Sequence, residues 1–201
     1  MVSWVFSSKR RNSFGEPNRN TAHFDPVPDF EIKHPRGPGK SWKLDDALSR
    51  VSQKGADFEN GRSLYFSIGC GACHRFSGLG GGVGPDLSSI PAKFDTRYVL
   101  EAIIDPSKDI SDQYGSSVVT TTRGKVYTGI AVEQENRLKI YPPDPKKDPV
   151  VIGYELVKSI EESTISHMPP GLLNRLNEEE LRDLIAYLMS GGNPDDRRFK
   201  K

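Results

Sequence analysis

Cys70, Cys73 and His74 stand in the stretch of the sequence best suited to chemistry, Cys-Gly-Ala-Cys-His. Two thiols at this spacing can add to the two vinyl groups on one edge of a porphyrin and form two thioether bonds. The histidine that follows can then bind the iron through an imidazole nitrogen. C-x-x-C-H is the pattern of haem c attachment, and the chain has no other cysteine. The sequence therefore predicts one covalently bound haem c with iron held by His74.

Other chemistries are compatible with two closely spaced cysteines. A disulfide, or a chance spacing in a glycine-rich loop, is the plainest alternative. A thioredoxin-like redox pair would end a strand and open a helix, whereas residues 57–68, just before Cys70, have a helical pattern. A structural zinc site needs four ligands, and the other histidines, His23, His34 and His167, have no zinc-finger spacing. We therefore favour haem attachment.

An iron bound by one histidine has an opposite axial position, which a methionine sulfur fills in electron-carrier cytochromes. Of the three methionines, Met1 is terminal and Met189 belongs to a helical pattern. Met168 lies in the proline-held stretch Ser-His-Met-Pro-Pro-Gly, as a rigid loop ligand would. His167 competes with it, because imidazole also binds haem iron. The ligand chemistry of electron-carrier cytochromes favours Met168, but it leaves both residues as candidates.

Helical patterns flank these two segments. Asp57, Asp95 and Asn177 each precede such a pattern and can cap a helix through a side-chain oxygen. Glu180, three residues after Asn177, predicts a capping box. The predicted helices cover about residues 57–68, 96–104 and 177–190, with a shorter amphipathic stretch between Trp42 and Gln53.

A glycine-rich loop follows the cysteines, with five glycines among residues 78–84. Glycines let a backbone turn tightly and approach a flat ligand closely. Phosphate binding is disfavoured, because the loop lacks the Lys-Ser/Thr ending of a P-loop and does not follow a strand.

A β-rich segment separates the third helix from Met168. Runs of β-branched residues alternate with turn signals at Arg123-Gly124 and Glu135-Asn136 and with a proline-rich loop at 142–149. These patterns predict a small antiparallel sheet or barrel at about residues 115–162, inserted in a mainly α protein. A long decorated hairpin is the alternative.

Composition divides the chain further. Residues 1–41 contain scattered prolines and no sustained period, so we expect an extended or disordered arm or linker. Residues 42–190 would form the domain, and residues 191–201 a charged, frayed tail. The first 45 residues contain eight Lys and Arg against five Asp and Glu, and the remainder 20 against 22. Neither part is basic enough to predict nucleic-acid binding.

The sequence gives two indications about location. No apolar run approaches the length of a membrane span. The N-terminal residues lack the long apolar region of a secretory signal, although haem c is attached outside the cytoplasm. We therefore expect a periplasmic or otherwise exported protein whose leader is not part of this chain.

Several separated blocks resemble a class I cytochrome c. They are a helix leading into C-x-x-C-H, Gly-Pro-x-Leu at 84–87, Met-Pro at 168–169, and a closing helix with Leu-x-x-Tyr-Leu. The similarity is closer to the planctomycete-type haem-binding domain and covers about residues 42–190. The blocks that carry it also include Gly-Arg-x-Leu-Tyr from Gly61, Glu-Ala-Ile-Ile-Asp-Pro-Ser-Lys from Glu101, Ile-Ser-Asp-Gln-Tyr from Ile110 and Met-Pro-x-Gly-Leu from Met168.

The resemblance implies a mainly α, cytochrome c-like fold with a small antiparallel β insertion between the third helix and the axial-methionine loop. It implies that the first and last helices cross closely at Gly61. It also implies that the carbonyl of Pro85 accepts a hydrogen bond from the ring of His74 and orients it. His167 stands where this family often has an apolar residue. The haem site would then comprise Cys70, Cys73, His74, Pro85, Leu87 and Met168.

These features lead us to expect a monohaem c-type cytochrome that transfers single electrons. The donor would be an exported dehydrogenase or another redox protein, and the acceptor a cytochrome or an oxidase. Filled axial positions leave no open site for a substrate, so we expect an electron carrier rather than an enzyme, with a place in a larger oxidoreductase as one option. The alternatives are a haem-based sensor or docking module that uses the β insertion, and a peroxidase-like haem with an open position.

Overall fold

The computed structural model describes residues 29–111, 114–144 and 147–200. Most of the predicted arm, residues 1–28, therefore lies outside the described residues. The helices are α1 (Leu44–Val51), α2 (Phe58–Ser67), α3 (Cys70–Cys73), α4 (Ile90–Lys93), α5 (Thr96–Ile104) and α6 (Glu178–Met189). The strands are β1 (Arg75–Phe76), β2 (Leu79–Gly80), β3 (Ser117–Thr121), β4 (Val126–Gln134), β5 (Arg137–Tyr141), β6 (Val150–Gly153) and β7 (Val157–Glu162). Three short 3-10 helices cover Tyr154–Leu156, Leu172–Arg175 and Arg197–Phe199.

The expectation of a mainly α, cytochrome c-like fold is wrong. The described residues are about 34% helix and 20% strand, and five strands form one antiparallel sheet. The longest described helix, α6, has 12 residues, and no described helix is long and apolar enough to cross a membrane. The five strands have a hydrophobic cluster of their own. The molecule is therefore a mixed α/β fold, because the sheet is a second packing unit rather than a decoration on a helical domain.

The predicted helix starts are confirmed. Asp57 and Asp95 each accept a hydrogen bond from the amide three residues later, at 2.9 and 2.8 Å. Asn177 and Glu180 form the predicted capping box at the start of α6. These bonds satisfy amides that have no partner inside the helix, so each helix begins where its cap stands.

The main hydrophobic core lies where α2 packs against α6, with α1 and α5 alongside. Leu64 and Tyr65 of α2 and Leu184 of α6 are fully buried there. At the crossing, a Cβ atom on Gly61 would lie 2.2 Å from the carbonyl oxygen of Asp183. The predicted close approach of these helices at Gly61 is therefore confirmed, and only glycine fits it.

The segment that precedes α1 lies against α2 and α6. The amide of Lys33 donates to Ser63 Oγ at 2.5 Å, and the amide of Arg36 donates to Glu180 Oε1 at 2.5 Å. Glu180 is 1% exposed, and its carboxylate also serves the capping box. This buried carboxylate is thus fully partnered and ties the preceding segment to α6.

The segment after α6 also packs on the helical part. The ring of Phe199 lies edge-to-face on the ring of Phe58, with centroids 5.3 Å apart. The amide of Ala56 donates to the carbonyl of Arg198 at 3.3 Å. These contacts bring the end of the described chain to the start of α2.

The sheet has the strand order β6-β5-β4-β3-β7, with every pair antiparallel. Its two edges, β6 and β7, are consecutive in the chain and are joined by the 3-10 helix Tyr154–Leu156. Ile152 of one edge and Ile160 of the other belong to the same cluster, around Val119 and Leu138. Both edges of the sheet therefore contribute to one hydrophobic cluster.

The chain enters and leaves the sheet at one place. Ser117, the first residue of β3, is paired with Glu162, the last residue of β7. One step outward, the amide of Ser163 donates to the carbonyl of Ser116 at 2.9 Å. The segment that contains Met168 therefore begins directly at the base of the sheet.

Candidate haem-attachment site

The two cysteines lie on a single helical turn. Gly69 follows α2 with φ +103°, a left-handed conformation that lets the chain turn at once into α3. Cys70 is buried and Cys73 is half-buried, and both carry free thiols. The turn follows a helix and not a strand, so it lacks the strand-to-helix placement of a thioredoxin-like pair. Both sulfurs are thus presented from one turn.

Burial sets the protonation of the two thiols. It raises the pKa of Cys70 to about 12. It also raises the pKa of Cys73, from an ordinary value of 9.0. Both groups are therefore protonated near neutral pH, which makes them poor nucleophiles in exchange with external disulfides.

His74 is the residue that ends α3, and its ring is oriented by Pro85. Its Nδ1 lies 2.9 Å from the carbonyl oxygen of Pro85, so the hydrogen bond that the resemblance implied is present. With Nδ1–H donating there, Nε2 keeps a free lone pair, which is the form that binds a metal. Burial lowers the pKa of His74, against the opposing effect of the Pro85 bond. The imidazole is therefore neutral and has one nitrogen available.

The glycine-rich loop wraps around this segment. The amides of Gly81 and Gly84 donate to carbonyls of α3 at 2.9 and 2.8 Å. A Cβ atom on Gly84 would lie 2.7 Å from the His74 ring, and one on Gly80 would lie 2.2 Å from the His74 carbonyl oxygen. These glycines are thus required by close approach to the Cys-His segment itself, whereas the sequence pattern suggested approach to a ligand.

Tyr65 is a site residue that the sequence did not indicate. Its ring is fully buried on α2, and its hydroxyl donates to the carbonyl oxygen of His74 at 2.7 Å. The sequence block that begins at Gly61 includes Tyr65 but gives no sign of a polar partner nine residues away. Tyr65 and Pro85 together fix the backbone and the ring of His74.

Leu87 and Met168 both reach the main core. Each is half-buried and packs against the hydrophobic cluster that includes Cys70. The amide of Leu87 donates to the carbonyl of Arg75 at 2.8 Å, which ties it to the residue after His74. The structure thus brings Cys70, Leu87 and Met168 to one cluster, although they are far apart in sequence.

His167 and Met168 are neighbours in sequence with different surroundings. Nδ1 of His167 lies 3.5 Å from Ser116 Oγ, at the base of the sheet. Burial lowers the pKa of His167, and a hydrogen bond to the carbonyl of Pro142 opposes that effect. The contacts of His167 are therefore with the sheet unit, while Met168 packs on the cluster that contains Cys70.

The residues present fit a covalent haem c. Two free thiols stand on one turn, a neutral imidazole follows them, and glycine occupies the position beside its ring where any side chain would collide. Within residues 29–111, 114–144 and 147–200, no three His, Cys, Asp or Glu side chains form a group that could hold a metal ion.

Comparison with known proteins adds no family assignment. A scan against models of protein families finds no match, and a search of curated proteins finds none. The resemblance to the planctomycete-type haem-binding domain therefore stays a prediction from the motifs.

Proposed function

We propose that this chain is a monohaem c-type electron-transfer protein. One observation carries the proposal: His74, with Nδ1 committed to Pro85 and Nε2 free, directly follows two free thiols on a single helical turn. When bound, haem c supplies an iron that alternates between two oxidation states.

Each residue of the site has a role in this proposal. Cys70 and Cys73 would hold the haem through thioether bonds, and His74 would bind its iron. The carbonyl of Pro85 keeps the His74 ring oriented and increases its basicity. Leu87 supplies an apolar contact from the main core.

Met168 is the proposed second axial ligand. Its side chain packs on the cluster that contains Cys70, while His167 contacts the sheet. A thioether sulfur is a soft ligand, which favours the ferrous state and raises the reduction potential. The choice between the two neighbours thus sets the working potential of the protein.

The same ligand set determines the kind of activity and of partner. With His74 and Met168 both bound to the iron, no coordination site would remain for a substrate, so we propose an electron carrier, alone or within a larger oxidoreductase, and not an enzyme. Haem c is attached outside the cytoplasm, so the proposed location is periplasmic or otherwise exported. The proposed partners are a dehydrogenase donor and a cytochrome or oxidase acceptor, met through small transient interfaces.

The test is an optical spectrum of protein produced with a c-type haem assembly system, recorded oxidised and reduced. We expect covalent haem on a denaturing gel and a low-spin spectrum with a Met–Fe(III) charge-transfer band. Met168→Ala should remove that band. Met189→Leu is the matched control, because Met189 is a buried methionine of α6 to which the proposal gives no role at the iron, and this variant should keep the band.

Two outcomes contradict the proposal. Absence of covalent haem in the wild-type protein would remove it altogether. A high-spin spectrum, or one that Met168→Ala leaves unchanged, would replace the Met168 assignment with an open position or with His167. Peroxide turnover or gas binding would then separate a peroxidase-like protein from a sensor.

A further inference from the structure

The sheet makes several contacts with the segment that contains Met168, residues 163–171. Ser116 lies directly before β3, and its carbonyl accepts a hydrogen bond from the amide of Ser163 at 2.9 Å. The same serine places Oγ 3.5 Å from Nδ1 of His167. Ser116 is 3% exposed, so this contact is shielded from water. The segment is therefore attached to the base of the sheet at two points.

A second element of the sheet acts on the same ring. The carbonyl of Pro142, the residue after β5, opposes the effect of burial on the pKa of His167. Ser116 and Pro142 are thus brought to one imidazole by two different strands of the sheet. Since a neutral imidazole has one acceptor and one donor nitrogen, it can accept from the Ser116 hydroxyl and donate to the Pro142 carbonyl.

The opposite side of the segment is fastened to the helical part. The amide of Ser166 donates to Ser107 Oγ, just beyond α5, at 3.1 Å. The amide of Met168 donates to Ser166 Oγ at 3.1 Å, and the Met168 side chain packs on the main core. Residues 163–171 therefore bridge the sheet and the helices, with His167 on one side and Met168 on the other.

We infer that His167 is a positioning residue that clamps the Met168 loop to the sheet, so that the sheet holds the Met168 side chain against the main core. The inference gives the inserted sheet a role within the site. The inference rests on the proposed function in one respect: under that function, the Met168 side chain held by the clamp is a ligand of the haem iron. Recruitment of His167 to the iron would break its contacts with Ser116 and Pro142, so the clamp also favours Met168 as the ligand.

The first test uses haem-free protein and needs no cofactor. Amide hydrogen exchange is measured at Ser166 and Met168 in the wild type, His167→Ala, His167→Gln and Ser116→Ala. We expect about fivefold faster exchange in the two alanine variants, the effect of losing one hydrogen bond. Glutamine has both a donor and an acceptor and should restore most of the protection.

Two controls separate local loosening from unfolding of the sheet. Exchange at Leu138, in the centre of the sheet core, should stay unchanged in His167→Ala. The second control is Ser159→Ala, which should leave the amides of Ser166 and Met168 protected from exchange. Ser159 lies in β7, and its described side-chain hydrogen bond is to the exposed carboxylate of Glu161. Equal exchange in wild type and His167→Ala at these two amides would overturn the inference.

The second test uses the haem-loaded protein. In His167→Ala the Met–Fe(III) charge-transfer band should weaken, and added imidazole should bind the ferric protein about fivefold faster than in the wild type, because the loop opens more often. His167→Gln should behave like the wild type. If instead the wild-type spectrum is that of two axial histidines and His167→Ala abolishes it, His167 is a ligand and the inference fails.

The two tests distinguish failure of the clamp from failure of the proposed function. Absence of covalent haem in every variant would remove the proposed function, and the exchange measurement would still decide whether His167 holds the loop. Normal haem loading with unchanged exchange in His167→Ala would leave the proposed function in place and remove the clamp.

Discussion

The segment around His74 is held by its near neighbours. Its carbonyl accepts from Tyr65, nine residues earlier, and its ring bonds to Pro85, eleven residues later. The Met168 segment is held from far away, since Ser166 bonds to Ser107 across 59 residues and His167 contacts Ser116 across 51. The Cys-His half of the candidate site is therefore built by local structure, and the Met168 half depends on assembly of distant elements.

This difference has an energetic consequence. Bonds between near neighbours form whenever the local chain is ordered, whereas a segment that bridges two packing units can open without global unfolding. We therefore expect changes near His74 to alter the stability of the whole main core. Changes near Met168 should mainly alter local opening.

The largest effect is expected from Gly80→Ala, because a Cβ atom there would lie 2.2 Å from the backbone oxygen of His74 at φ +105°. Moving the His74 carbonyl or changing the φ angle of residue 80 would cost free energy, because both are parts of the backbone. The free energy of unfolding should fall by about 3 kcal/mol or more. Chemical denaturation of haem-free protein measures it.

Gly82→Ala is the matched control in the same loop, because a Cβ atom at Gly82 would meet nothing within 4 Å. Its effect should stay within about 0.5 kcal/mol. Equal losses in the two variants would show that the loop is not wrapped tightly around His74.

The next effect concerns alkaline pH. The pKa of Cys70 is about 12 in the folded protein against an ordinary value of 9.0, because burial disfavours the thiolate. Burial also raises the pKa of Tyr187 to about 12. A raised folded-state pKa contributes stability that is complete below the unfolded pKa and is lost as pH rises through the folded one.

Haem-free protein should therefore unfold at a lower urea concentration at about pH 10.5 than at about pH 8. Cys70→Ala should lessen this dependence, since it removes one of the titrating groups. A midpoint that is the same at both pH values would contradict the burial of these groups.

A smaller effect is expected from Tyr65→Phe, which removes the hydroxyl that donates to His74 and keeps the ring. The loss should be about 1–2 kcal/mol, because the carbonyl of His74 is left without that partner in a partly buried place. Tyr98→Phe removes an exposed hydroxyl bond to Asp109 and should cost about 0.5 kcal/mol or less. If both variants cost the same, Tyr65 has no special role in holding His74.

The smallest global effect should come from Ser107→Ala, beside the Met168 segment. It removes an exposed bond to the amide of Ser166, so the free energy of unfolding should change by about 0.5 kcal/mol or less. Hydrogen exchange at Ser166 should nevertheless accelerate, because the opening is local. Ser49→Ala, another exposed serine, should leave that exchange rate unchanged.

Local signals made the helices and the attachment segment predictable. Asp57, Asp95 and Asn177 each satisfy an amide only three residues away, so the sequence spacing already contains the interaction. The β-rich segment was also located, and the strand Arg137–Tyr141 lies between the predicted turn at Glu135-Asn136 and the predicted loop at 142–149. Each of these features depends on residues within one turn or one hairpin.

Long-range features were not predictable in the same way. The predicted fold class was wrong because the sequence pattern located short strands without showing that they share one core around Val119, Leu138 and Ile152. The partners of His167 could not be inferred either, because Ser116 and Pro142 carry no local sign of a common neighbour. The bond of Tyr65 to His74 could not be inferred either, because it depends on how α3 packs on α2.

The meeting of the sheet's two ends at Ser116 and Ser163 makes residues 117–162 a removable module. The amide nitrogen of Ser163 and the carbonyl oxygen of Ser116 are 2.9 Å apart. The two ends of the module are therefore close together, and a longer module would add little to the entropic cost of bringing them together. Natural insertion and deletion succeed at such places, where both ends of a unit share one point of entry. Lengthening or exchanging this module should therefore leave the Cys-His half of the candidate site untouched and act on the Met168 half through the contacts of Ser116 with Ser163 and His167.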